Sequence, residues 1–273
     1  VNGDLAVTAN GSGSASAEGR THKVTVDLLR VADNKVDSHL SVTQSAFVDM
    51  DDALSSTVNV TGLMTVTSLL GSTDATLDSI ATVGSSAGCE KDSGLSISLI
   101  GMTVNKATSN EESTNSAYVE GAGETLTSIT AAGVSVEAKT WSNTDATAKT
   151  AFSISLLTIG GLQAEAYTDD SVDAHVSKVS LSATGAKTDV TVRSLLNTNT
   201  NALSASPGSL TGTSIAFTAA RAYAGYISFE VDKLTGMVTF TSHPQKSIAY
   251  IGDGTTVTSR RDVTVEATNT GTA

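Results

Sequence analysis

Cysteine, proline and aromatic residues are scarce in this chain of 273 residues. It contains one cysteine, Cys89, two prolines and 4% aromatic residues. A single cysteine excludes an intrachain disulfide, and so few aromatic side chains leave little for the thick core of a sandwich domain. Proline lacks the ladder donor and avoids sheet interiors, so its scarcity favours continuous stacking of strands.

Charged residues are also few, at 16%, and they are mainly acidic, with a net charge of −12. A nucleic-acid-binding surface is expected to be basic, so this balance argues against a nucleic-acid partner. No apolar run approaches the ~20 residues of a membrane-spanning helix, and no membrane span is predicted. Because the sequence starts at Val1 and shows no signal peptide, we expect a processed or excised segment.

A short motif occurs four times: alanine, then an aromatic residue or histidine, then valine or isoleucine. Its spacings are 71, 57 and 75 residues, and its first residues are Ala46, Ala117, Ala174 and Ala249. Self-similarity at such a period is the signature of a repeat protein. We therefore predict one continuous domain, 1–273, with four repeat units at roughly 5–63, 64–138, 139–194 and 195–267.

Three other kinds of segment keep the same phase as the motif. A strand-like apolar run precedes each copy, at 24–29, 95–100, 152–157 and 213–218. A second alternating run follows each copy, at 58–60, 134–136, 190–192 and 263–265. Polar turns are predicted after these runs, at 72–76, 143–147, 197–200 and 269–272. The first strand-like run, at 5–10, resembles residues 263–269, so both ends of the chain share one phase and are expected to continue into a neighbour.

Alternation of apolar and hydroxyl side chains, as in Leu95-Ser96-Ile97-Ser98-Leu99, predicts half-buried strands rather than helices. The predicted fold is all-β, a right-handed parallel β-helix (β-solenoid) of about four 57–75-residue repeats. Each repeat is expected to form three rungs of roughly 20 residues, and about 13 rungs would give a rod of about 60 Å. A tandem β-sandwich array is the alternative, although a sandwich takes ~100 residues.

Glycine pairs at 160–161 and 252–254 are predicted turns. The stretches 84–94 and 105–116 are predicted surface loops that could recognise a receptor or glycan.

No catalytic, cofactor-binding or metal-ligating residue is predicted, and no cofactor is implied. Three acidic clusters lack the Asp-x-Asp-x-Asp-Gly pattern of a calcium loop and are interpreted as solvated charge; they are Asp49 with Asp51 and Asp52, Glu111 with Glu112, and Asp169 with Asp170 and Asp173. The four histidines, His22, His39, His175 and His243, lack metal-ligand spacing.

A polysaccharide lyase or hydrolase would need clustered carboxylates with a basic partner. Only Asp169, Asp170 and Asp173 with Arg193 could supply that arrangement.

The stretch Ala249–Ser259, together with Asp262–Ala267, resembles the repeats of very large bacterial exoproteins of the haemagglutinin-like, adhesin type. Residues 153–161 are similar to a second segment of those repeats. The resemblance implies a parallel β-helix, secretion, and a role in adhesion or in an extracellular structure. It carries over no functional residue.

These observations favour a non-enzymatic, structural or adhesive protein that forms a stiff rod or filament at the bacterial cell surface. The expected partners are copies of itself or further repeats joined end to end. A host or neighbouring-cell glycan or protein is a further expected partner. A receptor- or glycan-binding adhesin module is the alternative function, and a lyase or hydrolase on a β-helix is a third.

Overall fold

The computed structural model describes residues 1–19, 25–50, 56–83, 96–121, 127–149, 153–185, 189–205, 210–231 and 238–272. All regular secondary structure among these residues is β-strand. The strands are β1 Leu5–Gly11, β2 Ser14–Gly19, β3 Thr25–Asp49, β4 Thr57–Asn59, β5 Leu63–Leu70, β6 Leu77–Val83, β7 Ser96–Glu120, β8 Ser128–Ala131, β9 Gly133–Lys149, β10 Ser153–Ser177, β11 Ser180–Ala183, β12 Val190–Ala205, β13 Leu210–Ala224, β14 Tyr226–Val231, β15 Val238–His243, β16 Lys246–Ile251, β17 Thr256–Ser259 and β18 Val263–Thr272.

Three parallel sheets make up the structure, and in each the strands are stacked in sequence order. The long sheet contains β3, β7, β10, and then β13 and β16 in one row. The short sheet contains β4, β8, β11 and β17. The return sheet contains β1 with β2, β5 with β6, β9, β12 and β18. The chain therefore passes through the long, short and return sheets in turn, and each pass adds one row to every sheet.

Every pairing between these rows is parallel, and the only antiparallel pair among the described strands is the hairpin β14–β15. The paired rows belong to successive repeats, as in Thr25 with Ser96 and Ser96 with Ser153. Separate sandwich domains would instead pair strands within each repeat. The tandem-sandwich alternative is therefore wrong for the described residues.

One repeat makes one full pass, so the predicted division of each repeat into three rungs of roughly 20 residues is wrong. The long strands β3, β7 and β10 each span 25 residues, a contour of about 80 Å at ~3.3 Å per residue. Four rows at a ~4.8 Å spacing occupy only about 15 Å between the first and last strand of the long sheet. The described structure is therefore long in the direction of the strands and short in the direction in which the strands are stacked. The predicted 60 Å rod was expected to be long in the stacking direction.

The repeated alanine–aromatic motif is confirmed by the register of the long sheet. Ala46, Ala117, Ala174 and Ala249 stand in one column, paired row by row. In the return sheet, one column contains Leu5, Met64, Val134, Val190 and Val263.

Two of the predicted segment alignments need correction. Val58 pairs with Ile129 in the short sheet, and Met64 rather than Val58 pairs with Val134. Thr213 pairs with Leu157, five residues further along than the predicted alignment with Phe152. Period-two alternation looks the same in all three sheets, so the pattern alone does not distinguish them.

Several predicted turns lie inside strands. Residues 143–147, 197–200 and 269–272 belong to β9, β12 and β18, and 160–161 belong to β10. The predicted loop 105–116 is the middle of β7, whereas 84–94 lies outside the described residues. The turns at 72–76 and 252–254 are confirmed.

Side chains alternate between the interior and the outer face, as residues 134–149 of β9 show. Where the three sheets meet, an apolar core contains Val119, Ile129, Val136, Leu181 and Val192, which are at most 1% exposed. Further along the same strands, the long and return sheets enclose a thinner cluster built mainly of alanine. Polar side chains fill the interior between these two clusters.

Replacement of Val192 by aspartate tests this assignment of faces. Val192 is 0% exposed in an interior row, so Val192→Asp buries a carboxylate without a partner and is expected to lower the free energy of unfolding by at least ~3 kcal/mol. Thr191→Asp, on the outer face of the same strand, is expected to change it by about 0.5 kcal/mol or less. Urea unfolding followed by circular dichroism measures both, and equal losses would contradict the assignment.

Candidate functional surfaces

The carboxylates considered as a lyase centre are not brought together. Asp170 is 0% exposed and faces the interior, whereas Asp169 and Asp173 lie on the outer face of the long sheet. The Oδ2 atom of Asp169 contacts Nδ1 of His243 at 2.8 Å, and the Oδ1 atom of Asp173 contacts Nδ1 of His175 at 3.1 Å. Alternation along β10 separates residues that are adjacent in the sequence.

The remaining sequence candidates are also dispersed. Arg193, the proposed basic partner, lies in the return sheet with its Nε atom 3.1 Å from Glu266 Oε2. Glu111 faces the interior and Glu112 the outer face. Asp51, Asp52 and His22 lie outside the described residues. Within the described ranges, no group of three or more histidine, cysteine or acidic side chains is placed to hold a metal ion.

The polar interior is held by hydrogen bonds between the long and return sheets. Thr168 Oγ1 donates to Thr144 Oγ1 at 2.9 Å and lies 2.8 Å from Thr200 Oγ1. Asn115 Nδ2 donates to the carbonyl oxygen of Lys139 at 2.7 Å. Buried polar groups are costly unless they are bonded. These short side chains therefore fix how the two sheets face each other.

A pair of carboxyl groups, Glu111 and Asp170, lies in this polar interior, and both are 0% exposed. They occupy adjacent rows, because Glu111 pairs with Thr168 and Asp170 with Ser113. Ser113 and Ser142 donate their hydroxyl protons to Asp170 at 2.5 Å each. Neither Glu111 oxygen accepts a hydrogen bond within the described structure. The contact between Glu111 and Asp170 can be a hydrogen bond only if one of the two carries a proton.

The larger rise in pKa favours placing this proton on Glu111. Burial, followed by the charge and the contact of Asp170, raises the pKa of Glu111 well above its usual 4.5. Burial also raises the pKa of Asp170, but the contact with Glu111 and the hydrogen bonds from Ser113 and Ser142 act in the opposite direction. A neutral Glu111 beside an ionised Asp170 would leave one buried charge, which accepts hydrogen bonds from Ser113 and Ser142. Sequence reasoning missed this pair, although alternation along β7 could have placed Glu111 inside.

The pair predicts that stability falls as the pH rises. Between pH 4.5 and the raised pKa of Glu111, the folded chain binds more protons than the unfolded chain, so the free energy of unfolding decreases with pH. Glu111→Gln preserves the shape and the donor to Asp170 but removes this titration. We expect the variant to be more stable than the wild type above this window, with a flatter pH profile in denaturant unfolding.

Glu112→Gln is the matched control, because Glu112 is the next residue and faces outward. It should retain the wild-type pH slope. A Glu111→Gln profile that is indistinguishable from that of the control would contradict the shared-proton assignment.

The aromatic position of the repeated motif forms a ladder on the outer face of the long sheet. The rings of Phe47, Tyr118, His175 and Tyr250 stack with centroid separations of 5.2, 5.1 and 4.8 Å and interplanar angles of 8°, 3° and 10°. A second, shorter stack joins Tyr167 to Tyr223 at 5.2 Å. Each stacked pair contributes about 0.5–1.5 kcal/mol beyond its buried area.

Stacking occupies the ring faces within the ladder, so the ladder presents mainly ring edges to solvent. The outward faces of the two terminal rings are free within the described structure, and Phe47 and Tyr250 are 48% and 38% exposed. Two carboxylates, Asp49 and Glu120, flank the ladder at Tyr118. Burial raises the pKa of Tyr118, and the negative charges of these two carboxylates raise it further. A sugar platform requires an open ring face, which the inner rings do not offer.

The single tryptophan lies in a recess on the return sheet. Residues 71–76 stand opposite Trp141 alone, because Leu70 pairs with Thr140 and Leu77 with Ser142. This insertion begins at Gly71, which has a φ of +72°. A Cβ atom at this position would lie 2.5 Å from the Trp141 carbonyl oxygen, so the turn requires glycine. The recess has a volume of about 390 Å³ and is lined by Thr73, Thr76, Trp141, Ser142, Asn143, Asn197 and Asn199.

Both ends of the stack leave backbone edges and part of the core uncovered. The first end consists of β1, β2, β3 and β4, and the last end of β13, β16, β17 and β18. Leu5, Val7 and Val58 at the first end are only partly buried, as are Ile251 and Val257 at the last end. Their counterparts in the inner rows are almost fully buried. An uncovered parallel edge is a template for a further strand.

Comparison with protein-family models, curated proteins and solved structures finds no match. Among the described residues, no helix is long and apolar enough to cross a membrane.

Proposed function

We propose that the chain is a structural and adhesive repeat protein, a right-handed parallel β-solenoid that continues end to end into a stiff filament outside the cell. The observation that carries the proposal is the pair of uncovered ends. Both expose strand edges, and both leave a core that the inner rows bury. A further row on either end would bury that apolar surface and satisfy the backbone edge.

The occupant of each end is a further row of the same kind, supplied by a second copy or by additional repeats. A head-to-tail contact that does not close produces a fibre rather than a ring. Stiffness would come from the continuous parallel ladders and from the stacked rings along the long sheet. The extracellular, cell-surface location is supported by the resemblance of 249–267 to bacterial exoprotein repeats.

Cryo-electron microscopy of the purified chain tests the proposal. We expect particles that lengthen with concentration and a layer line near ~4.8 Å along their axis. Val257→Lys places a charge in the open core of the last end, where Val257 is partly buried against the apolar core. It should raise the concentration needed for elongation at least tenfold, about 1.4 kcal/mol.

Thr258→Lys is the control, since Thr258 is exposed on the outer face of the same strand. It should elongate as the wild type does. Single particles of constant length at all concentrations, in the wild type as well as in both variants, would overturn end-to-end assembly.

A second candidate function, glycan binding, is favoured by the Trp141 recess. An aromatic ring beside amide and hydroxyl groups is the composition of a site for a partly apolar, partly polar ligand. Asn143 and Asn199 are already oriented by a 3.0 Å hydrogen bond from Asn199 Nδ2 to Asn143 Oδ1. One wall of the recess is the insertion 71–76 between β5 and β6, so changes in this insertion would alter the recess without changing the paired rows.

A glycan array probed with fluorescently labelled protein tests this second function. We expect oligosaccharide binding that Trp141→Ala weakens at least tenfold, about 1.4 kcal/mol. Tyr250→Ala removes an exposed ring elsewhere and should leave the binding unchanged. Equal losses in both variants, or no bound glycan, would argue against the recess as a binding site.

A further inference from the structure

One wall of the Trp141 recess, the insertion 71–76, is held in shape by short-range hydrogen bonds. Ser72 Oγ accepts hydrogen bonds from the backbone N–H groups of Asp74 and Ala75, at 3.3 and 3.0 Å. The N–H group of Ser72 donates to the carbonyl oxygen of Ala75 at 2.8 Å. Because this wall is formed before a ligand arrives, binding would cost little conformational entropy.

The amide of Asn143, on the floor of the recess, is occupied by other protein groups. Its Nδ2 atom donates to Asp145 Oδ2 at 3.2 Å and to Asp78 Oδ1 at 3.4 Å. Its Oδ1 atom accepts from Asn199 Nδ2 at 3.0 Å. Thr76 also gives its hydroxyl proton to Asp78, at 2.7 Å. These two residues therefore support the recess and have no proton left to donate to a ligand.

The amide of Asn197 is available to a ligand. Asn197 pairs with Trp141 in the adjacent row, ~4.8 Å away. Its side chain is exposed, and no hydrogen bond of this side chain is found within the described structure. Asn199 keeps one further Nδ2 proton, because only the other is donated to Asn143. The recess thus offers unused amide donors and an unused amide acceptor directly beside an indole ring.

This arrangement matches the chemistry of a sugar ring. An amide presents a donor and an acceptor side by side, and each hydroxyl group of a sugar can both donate and accept. Two neighbouring hydroxyl groups can therefore bond one amide. The apolar C–H groups of the same ring can pack against an aromatic side chain. Trp141 is half-buried and, unlike Tyr118, has no stacked ring beside it among the described residues.

The charges around the recess disfavour an acidic ligand. All the side chains that line it are uncharged. The neighbouring carboxylates of Asp78 and Asp145 accept hydrogen bonds from an amide, and neither is paired with a cationic side chain in the described structure. Lys139, on the same face of β9, is bound to Glu137 at 2.5 Å. A ligand carboxylate would lose its water without gaining an ion pair, and the two aspartates would repel it.

We propose that the Trp141 recess binds an uncharged pyranose ring, and that Asn197 selects this ring by bonding two of its neighbouring hydroxyl groups. The inference rests on the second proposed function, glycan binding, and specifies the class of sugar and the residue that recognises it. In this assignment Trp141 supplies contact area for the apolar part of the ring, whereas Asn197 distinguishes a ring with correctly placed hydroxyl groups from other apolar ligands.

Paired sugars on a glycan array test the proposal. The probes are oligosaccharides of glucose, galactose and mannose, each printed beside its uronic-acid counterpart, in which a carboxylate replaces the C6 hydroxymethyl group. We expect at least one neutral oligosaccharide to bind, and its uronic-acid counterpart to bind at least tenfold more weakly. Asn197→Asp keeps the size of the side chain but removes both donors and adds a charge, so it should weaken the neutral ligand at least tenfold.

Asn201→Asp is the matched control, because Asn201 is exposed on the same face of β12 but does not line the recess. It should bind as the wild type does. Equal binding of neutral and acidic partners, or wild-type binding by Asn197→Asp, would overturn this inference while glycan binding that depends on Trp141 could still stand. If the wild type binds none of the neutral or acidic oligosaccharides, the inference and the second proposed function fail together.

Discussion

The stacking of each row on the preceding one, ~4.8 Å away, is the constraint on which the rest of this structure depends. Each side chain lies directly above its counterpart in the preceding row. The side chains of one column must therefore be able to pack against one another. Stacked rings satisfy this requirement, as the ladder through Tyr118 and His175 shows. Opposite charges satisfy it at Arg193, which stands between Glu137 and Glu266. Small hydroxyl residues satisfy it throughout the interior, because each can both donate and accept.

Part of the interior is polar because the long strands extend beyond the apolar core. Strands of 25 residues are longer than the apolar core at the meeting point of the three sheets, so beyond it only two sheets face each other. In that thinner region large apolar side chains have no room, and alanine, serine and threonine fill it. Glu111 and Asp170 are the ionisable residues in this interior, and burial raises the pKa of Glu111, which favours a neutral carboxyl group beside Asp170.

Much of the long sheet could be predicted from the sequence because columns require similar residues at corresponding positions. The alanine–aromatic motif predicts the correct register for Ala46, Ala117, Ala174 and Ala249. The length of each rung could not be predicted, since period-two alternation does not specify where a strand ends. The polar character of Asn197 and Thr198 predicts a turn. In the structure Thr198 instead faces inward, 1% exposed, and its hydroxyl accepts a hydrogen bond from Gln245.

The candidate surfaces were less accessible to sequence reasoning. The partnership of Glu111 with Asp170 joins residues 59 positions apart, and it depends on the row spacing of 57 residues between β7 and β10. The recess at Trp141 depends on an insertion in the neighbouring row, which only the register of β5 and β6 against β9 reveals. Both sites are products of how the rows align.

Parallel pairing in all three sheets also gives the molecule a direction. Every row runs the same way and the rows follow in sequence order, so no rotation exchanges the first end with the last. A filament built from such units would have structural polarity, and its two tips would differ chemically. One tip displays Asp37 and Phe47, and the other displays Arg221 and Tyr250. In the proposed filament, a copy added at one tip would therefore meet different side chains from a copy added at the other.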